Sequence, residues 1–465
     1  MLYYNIPIIY QSSTKLGNHH MIVTSQEIAN KIKGAGGTAY YVGGCVRDKL
    51  LGRTSNDIDI EVHGLTEDEL EAALSGLGDT LSFGRSFGVH TLKGTNIDIA
   101  LPRSEYSTGD GHRDFEIVVD PFIGPEAASR RRDFTINALM ENVLTGQILD
   151  FHSGLSDLDA GIIRHIDNDS FVEDPLRVLR ACGFAARLGF EIADETRELC
   201  RGIDISILSR ERVEEELQKA LLFSEKPSVF FEELRNMNQL GVWFSEIEKL
   251  IGIPQDPIFH PEGDVWVHTM EVIDRAAGFR DKVSDPFAFM LLALTHDLGK
   301  ITATEFIKGR YHAYGHEVQG LPIAEEFLNR VIGRKGIKKY VKNMMPLHMK
   351  PNVAAYVKSS EKSTSKMFDE AIAPADLIYF AMSDKPVVSG GEPYEGDPEF
   401  LWQRLEIFDS VMKNPYVSGE DLIKAGYEPG EKFGKLLEYA HKLRLAGVDK
   451  DSAMKQIAGY ARTLK

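Results

Sequence analysis

Short runs of period-two alternation mark the first third of the chain. Residues 38–42 (TAYYV), 56–62 (NDIDIEV), 89–93 (VHTLK) and 96–101 (NIDIAL) read as β-strands. SQEIANKIKGAG (25–36) and TEDELEAALSGLG (66–78) carry a helical period instead, and the second opens on a Thr cap with Glu three residues on. Residues 21–155 are therefore expected to form an α/β head built on a small mixed sheet. From about residue 160 the strand signals fade. DPLRVLRACGFAARLGF (174–190), RERVEEELQKALLF (210–223), PSVFFEELRNM (227–237) and PFAFMLLALTHDLGK (286–300) all show helical periodicity, so the second half is expected to be all-α. Prolines and glycines predict loops over 253–263 and 383–397.

With 465 residues, more than one domain is expected. A chain that is 43% hydrophobic and 26% charged reads as an ordinary globular protein, and no run reaches the roughly 18 apolar residues of a membrane span. The first 20 residues lack a basic leader and a cleavage site, so they are expected to be a tail and not a secretory signal, with Met21 as an alternative start. Cys45, Cys182 and Cys200 have no metal-ligand spacing, which fits a reducing cytoplasm. The net charge of −17 argues against a protein coated in nucleic acid but leaves room for a local basic groove.

Candidate chemistry begins at YVGGCVRDKLLGRTSNDIDIE (41–61). Strand residues two apart share a face, so Asp57 and Asp59 point one way while Ile58 and Ile60 fix the register from the other. Carboxylates this close repel unless a cation sits between them. Asp98 repeats the Ile-Asp-Ile arrangement on a second strand, and three such carboxylates suit Mg²⁺-dependent phosphoryl or nucleotidyl transfer. A bare D-x-D is often only a solvated strand face. Here Gly43 and Gly44 stand between an apolar strand and a helix-like run, where a phosphate can approach backbone N–H groups. SRRRDFTINAL (129–139) sets three arginines against an apolar, helix-like run. Cations are disfavoured near a helix N-terminus, so an anionic ligand is expected there.

The ordered set GGCVRD…NDIDI resembles the head motif of class II tRNA nucleotidyltransferases, the CCA-adding enzymes, and of the related bacterial poly(A) polymerases. That resemblance implies a polymerase-β-like head in which Gly43, Gly44 and Arg47 contact a triphosphate. Asp57 and Asp59 would hold Mg²⁺ and activate an RNA 3′-hydroxyl, with Asp98 as a third carboxylate. SRRRDFTINAL is similar to the family's R-R-D-F-T-x-N-A motif, which would give Arg131, Arg132, Asp133 and Asn137 to the nucleotide. EDPLR (173–177) matches E-D-x-x-R, in which the protein acts as template: Asp174 would accept from the exocyclic amine of C or A and Arg177 would donate to ring acceptors. Read without the resemblance, Asp174 and Arg177 are three apart on a predicted helix and form a surface ion pair. Arg180 and Arg187 extend a basic side. Residues 210–222 and 230–247 are similar to the family's neck and body, and 417–437 to its tail.

A second centre is expected in the helical half. VHTMEV, THDLGK, YGHEV, PLHMK and MSDKP supply His268, His296, Asp297, His316, His348 and Asp384. Imidazole and carboxylate suit a divalent transition metal. The order resembles the H…HD…D pattern of HD phosphohydrolases, which implies His268, His296, Asp297 and Asp384 as ligands. An HD half fused to a nucleotidyltransferase head resembles the bacterial CCA-adding enzymes that carry phosphohydrolase activity, which implies phosphatase, 2′-nucleotidase and 2′,3′-cyclic phosphodiesterase activities. The expected layout is a tail over 1–20, a head over 21–155, a helical neck and body over 156–250, an HD domain over 251–390 and a helical tail over 391–465. The expected partners are tRNA, CTP and ATP, without a membrane, for a monomer or homodimer. Three alternatives stay open. One is a poly(A) polymerase, although GRSFGVHTL (84–92) looks more like the tRNA enzymes. Another is an enzyme that adds only C or only A. The third is an HD phosphohydrolase with a nucleotide-sensing head.

Overall fold

The structure is a computed structural model that describes residues 24–55, 57–77, 80–82, 89–92, 95–107, 115–384, 397–413 and 415–464. The expected N-terminal tail, most of GRSFGVHTL and most of the 383–397 loop fall outside the described residues. The chain divides into two compact units, one ending at Leu158 and the other beginning at Asp159.

The first unit is built on a seven-stranded sheet. Its strands are β1 (Thr38–Val42), β2 (Ile58–His63), β3 (Thr80–Ser82), β4 (Val89–Leu92), β5 (Ile97–Ala100), β8 (Met140–Asn142) and β9 (Ile148–Leu149), while β6 (Arg103–Ser107) and β7 (Phe115–Val119) form a separate ribbon. The sheet order is β3-β4-β5-β2-β1-β8-β9. Most neighbours are antiparallel, but β2 and β5 run parallel, so the sheet is mixed. Alternation does what the sequence implies: Ile58, Ile60, Ile97 and Ile99 are buried while Asp59 and Asp98 face outward. Helix Ser25–Gly34 packs against β1 and against helix Glu67–Leu74, and Ile28, Ile32, Leu70 and Leu74 are all buried. Both helices open on capping boxes, Thr24 with Glu27 and Thr66 with Glu69, each of which satisfies two backbone N–H groups at the helix start.

The second unit is mostly helical. Phe230, Phe231, Phe244 and Phe327 interlock in its core, the first three edge-on with ring centroids 5.2–6.0 Å apart. Helix Pro286–Thr295 is apolar all round and buried from Phe287 onward, as such a pattern requires. Burying each large apolar side chain contributes about 1.5–3 kcal/mol, which fixes this helix deep in the unit and delivers the two residues after it into the interior.

Three expectations need correction. The second half is not purely helical: Ile162–Ile163 pairs with Glu191–Ile192, and Glu305–Ile307 forms a hairpin with Arg310–His312. The hairpin turn is Lys308-Gly309, with φ of 49° and 83°; both lie in the left-handed region that a tight two-residue turn demands. Asp174 does not share a helix face with Arg177, because helix Leu176–Leu188 begins only after Pro175, and the residue before a proline is biased away from helical backbone. The arginines of SRRRD close helix Pro125–Arg130 instead of opening one, and the following FTIN forms a 3₁₀ turn. A helix C-terminus favours cations, so the argument from an unfavourable dipole fails there. Among the described residues, no helix is long and apolar enough to cross a membrane.

Candidate functional site

In the first unit, β1 runs into Gly43, whose φ of 73° is left-handed. A Cβ there would stand 3.2 Å from Arg132 Nη1 and 3.8 Å from Asp59 Oδ2, so the turn is closed over by a cation and a carboxylate. Asp57 lies one residue before β2 and Asp59 lies within it. The parallel register sets Asp59 directly beside Asp98 of β5. The carboxyl of Asp59 is pushed up, first by loss of water and then by the charges of Asp98 and Asp57, against the pull of Arg132. Asp98 Oδ1 accepts from Thr91 Oγ1 at 2.6 Å. Asp57, Asp59 and Asp98 do not form one of the close ligand trios found among the described residues.

Glu61 continues the D-x-D face by two more residues, yet it is buried. Its Oε2 accepts from Arg131 Nη2 at 3.2 Å and Arg132 Nη2 at 3.4 Å, and its Oε1 lies 3.0 Å from His63 Nε2. Burial alone would raise this carboxyl. The His63 bond and the charges of Arg132 and Arg131 outweigh it and hold the group at about 2. The acid was visible in the sequence as D-x-D-x-E, but alternation does not say that the third acid turns its charge onto two arginines. Arg47 is buried and donates from Nη1 to Asn137 Oδ1 at 2.7 Å; Asn137 Nδ2 in turn donates to Asp133 Oδ1 at 3.0 Å. Three of the residues expected at the nucleotide are thus joined in one network.

In the second unit, Asp174 accepts two bonds from Arg212 Nη2, each at 2.9 Å, and one from the Leu176 backbone N–H at 3.1 Å. Arg177 Nη1 donates to Ser170 O at 2.8 Å, and Arg180 lies over the Phe184 ring at 5.4 Å. Arg212 was not foreseen, because 38 residues separate it from Asp174.

The same unit brings the four expected ligands and two further candidate histidines into one buried cluster. His268 comes from helix Val265–Ala277, His296 and Asp297 follow helix Pro286–Thr295, and Asp384 closes helix Pro374–Ser383. His316 and His348 complete it. His268 Nε2 lies 3.0 Å from Asp384 Oδ1. His268 Nδ1 lies 2.7 Å from Glu262 Oε1, a second carboxylate on the expected 253–263 loop that the sequence pattern did not reveal. Carboxylate–imidazole pairs of this kind fix the ring and its tautomer at metal sites. Burial opposes a charge on His268, but the bonds to Asp384 and Glu262 prevail and lift it to about 9. His348 is driven down to about 3, by burial first and then by His296 and His316. His296 Nε2 is buried without a well-formed hydrogen bond, although Asp297 Oδ2 stands 3.2 Å away. Buried polar atoms are almost always satisfied, so this orphan fits a metal ligand whose partner is an ion. The His296 and Asp297 segment packs tightly on His316: a Cβ on Gly299 would fall 1.9 Å from His316 O.

A family model described as the Poly A polymerase head domain matches residues 39–164. The head is therefore polymerase-β-like and the protein is a nucleotidyltransferase. A multifunctional CCA protein of Pasteurella multocida (strain Pm70) is 35% identical over 405 residues, covering 84% of this chain and 92% of the relative. Another, from Thioalkalivibrio sulfidiphilus (strain HL-EbGR7), is 40% identical over 298 residues, covering 63% of this chain and 69% of the relative. The chain belongs to the multifunctional CCA protein family. Among solved structures, the Bacillus stearothermophilus CCA-adding enzyme in complex with CTP superposes with a TM-score of 0.68 at 18% identity, over 94% of this chain and 96% of that one. The Thermotoga maritima CCA-adding enzyme complexed with tRNA gives 0.60 at 21% identity, over 93% of each. At these identities the likeness is one of fold.

Proposed function

We propose that the protein adds C, C and A to tRNA 3′ ends from CTP and ATP without a nucleic-acid template. The observation that carries this reading is the parallel register that sets Asp59 beside Asp98, with Asp57 two residues before and Arg132 closing over Gly43. The family membership, and the CTP and tRNA named with the two structural neighbours, support it.

The all-carboxylate donor set, in which Asp59 is raised by burial first and then by the charges of Asp98 and Asp57, suits Mg²⁺, which Asp57, Asp59 and Asp98 would hold. Bound there, Mg²⁺ would supply charge neutralisation at the reacting phosphate. The chain's own groups do the rest. Asp57 and Asp59 draw the RNA 3′-hydroxyl toward the α-phosphate and take up its proton, which passes on to water; the hydroxyl oxygen bonds to the α-phosphorus as the bond to the leaving pyrophosphate breaks. Arg131 and Arg132, steadied by Glu61, hold the triphosphate, with Gly43 and Gly44 allowing close backbone approach. The Arg47, Asn137 and Asp133 network sets the sugar and phosphate. Asp174, held by Arg212, accepts from the exocyclic amine of C or A, and Arg177 and Arg180 bind the base edge and the RNA backbone.

A second activity is favoured by the buried histidine–aspartate cluster. With His268, His296, Asp297 and Asp384 as metal ligands, residues 251–390 act as an HD phosphohydrolase on phosphorylated RNA ends. Asp57→Ala tests the division of labour: incorporation of CTP and ATP stops while phosphate release from a 2′- or 3′-phosphorylated end continues. His296→Ala with Asp297→Ala gives the reverse. Survival of both activities in Asp57→Ala would overturn the assignment of the head.

A further inference from the structure

Another set of metal-type side chains lies in the first unit, apart from the carboxylates around Asp59. Glu67 and Glu71 of helix Glu67–Leu74 and His90 of β4 each offer a ligand atom, and the three atoms lie within 4.8 Å of one another. Residues four apart share a helix face, so the two carboxylates stand together, where like charges repel. The helix N-terminus favours Glu67 in the first turn, but the dipole fades within that turn and gives no reason for Glu71 or for the histidine. His90 is 2% exposed, and its Nε2 is buried without a hydrogen-bond partner. A protonated ring would donate from Nε2 to either carboxylate, and no such bond forms. Buried polar atoms are almost always satisfied, so a lone imidazole nitrogen beside two carboxylates marks a place for a cation.

The strand register shows what such an ion would do. His90 pairs with Ile99, which is fully buried. The next residue, Thr91, pairs with Asp98 and takes the other face, where Thr91 Oγ1 donates to Asp98 Oδ1 at 2.6 Å. We propose that Glu67, Glu71 and His90 hold one divalent transition cation of the Zn²⁺ type, which ties β4 to helix Glu67–Leu74 and braces from behind the strand that bonds Asp98. Imidazole with two carboxylates favours a first-row transition ion over Mg²⁺, which sets this site apart from one made of aspartates alone. Three protein ligands leave the fourth tetrahedral position to water. The inference rests on neither activity proposed above.

The test uses the full chain, stripped of metal, reloaded with Zn²⁺ and freed of excess by gel filtration, with bound metal counted by atomic absorption. The double variant Glu67→Gln with Glu71→Gln should hold one equivalent fewer than the parent, and so should His90→Gln. Hydrogen exchange in peptides covering β4 and the helix should slow roughly tenfold in the parent when free Zn²⁺ stands about ten times above its Kd, and much less in the variants. Equal metal counts in parent and double variant, or an equal response of exchange to Zn²⁺ in both, would overturn the inference. Should His90→Gln misfold by circular dichroism, the glutamate pair decides, because neither glutamate is buried and Gln keeps their shape.

Discussion

Replacing Glu61 by Gln keeps the shape of the side chain and removes the charge that two arginines share. Taking a carboxyl from its ordinary 4.5 to about 2 corresponds, at about 1.4 kcal/mol per pH unit, to roughly 3 kcal/mol of stabilisation at neutral pH. That agrees with the 3–5 kcal/mol typical of breaking a buried pair, and the side chain is only 3% exposed, so solvent does little to screen it. The direction with pH follows from the depressed value. The stabilisation is complete above the unfolded carboxyl's range and is lost as pH falls from about 5 toward 2. Urea titrations read by hydrogen exchange on head peptides, at pH 7, 5 and 4 in turn, measure both quantities. Glu61→Gln should destabilise the head by roughly 3 kcal/mol at pH 7 and flatten its acid dependence. It should also raise the KM for CTP, because Arg131 and Arg132 lose their anchor. A variant within about 0.5 kcal/mol of the parent, with an unchanged acid slope and KM, would refute the reasoning.

Further outcomes follow from the same geometry. Asp59→Ala should lower nucleotide incorporation by roughly 1000-fold, equivalent to ~4 kcal/mol, in a primer-extension assay, with phosphate release unaffected. Arg212→Ala removes the two bonds that Asp174 accepts from Arg212, leaving the one from the Leu176 N–H, and should cut discrimination between CTP and UTP by roughly tenfold, read as the ratio of kcat/KM values. Gly299→Ala would place a Cβ 1.9 Å from His316 O and should displace that histidine at a cost of about 1–3 kcal/mol. Mn²⁺ affinity of the helical half should fall while CTP incorporation is retained, and unaltered Mn²⁺ binding would contradict the packing argument.

Much of the head could be read from alternation, because β2 and β5 each bury isoleucines on one face and leave aspartates on the other. Their parallel pairing could not, since period two fixes which face a residue takes but not which strand lies alongside. Glu61 was missed for a related reason: its burial depends on arginines 70 and 71 residues away. The HD pair stood out in the sequence because adjacent His296 and Asp297 on a helix-like segment, followed by Leu-Gly-Lys, resemble an HD-type motif. Glu262 did not, since it lies in a loop whose prolines and glycines mark only irregularity. The SRRRD run misled because helical period alone did not show that the helix precedes the arginines. Pro175 was a legible signal that Asp174 stands outside the next helix, and reading it would have removed the expected pairing with Arg177.

The most direct test of the central claim is to incubate the purified protein with Mg²⁺ and a tRNA lacking its 3′ end, supplying CTP alone, ATP alone, then both. The account predicts two C additions with CTP alone and one further A only when ATP is also present. A long ladder with ATP alone, C addition without the final A, or no extension at all would contradict it.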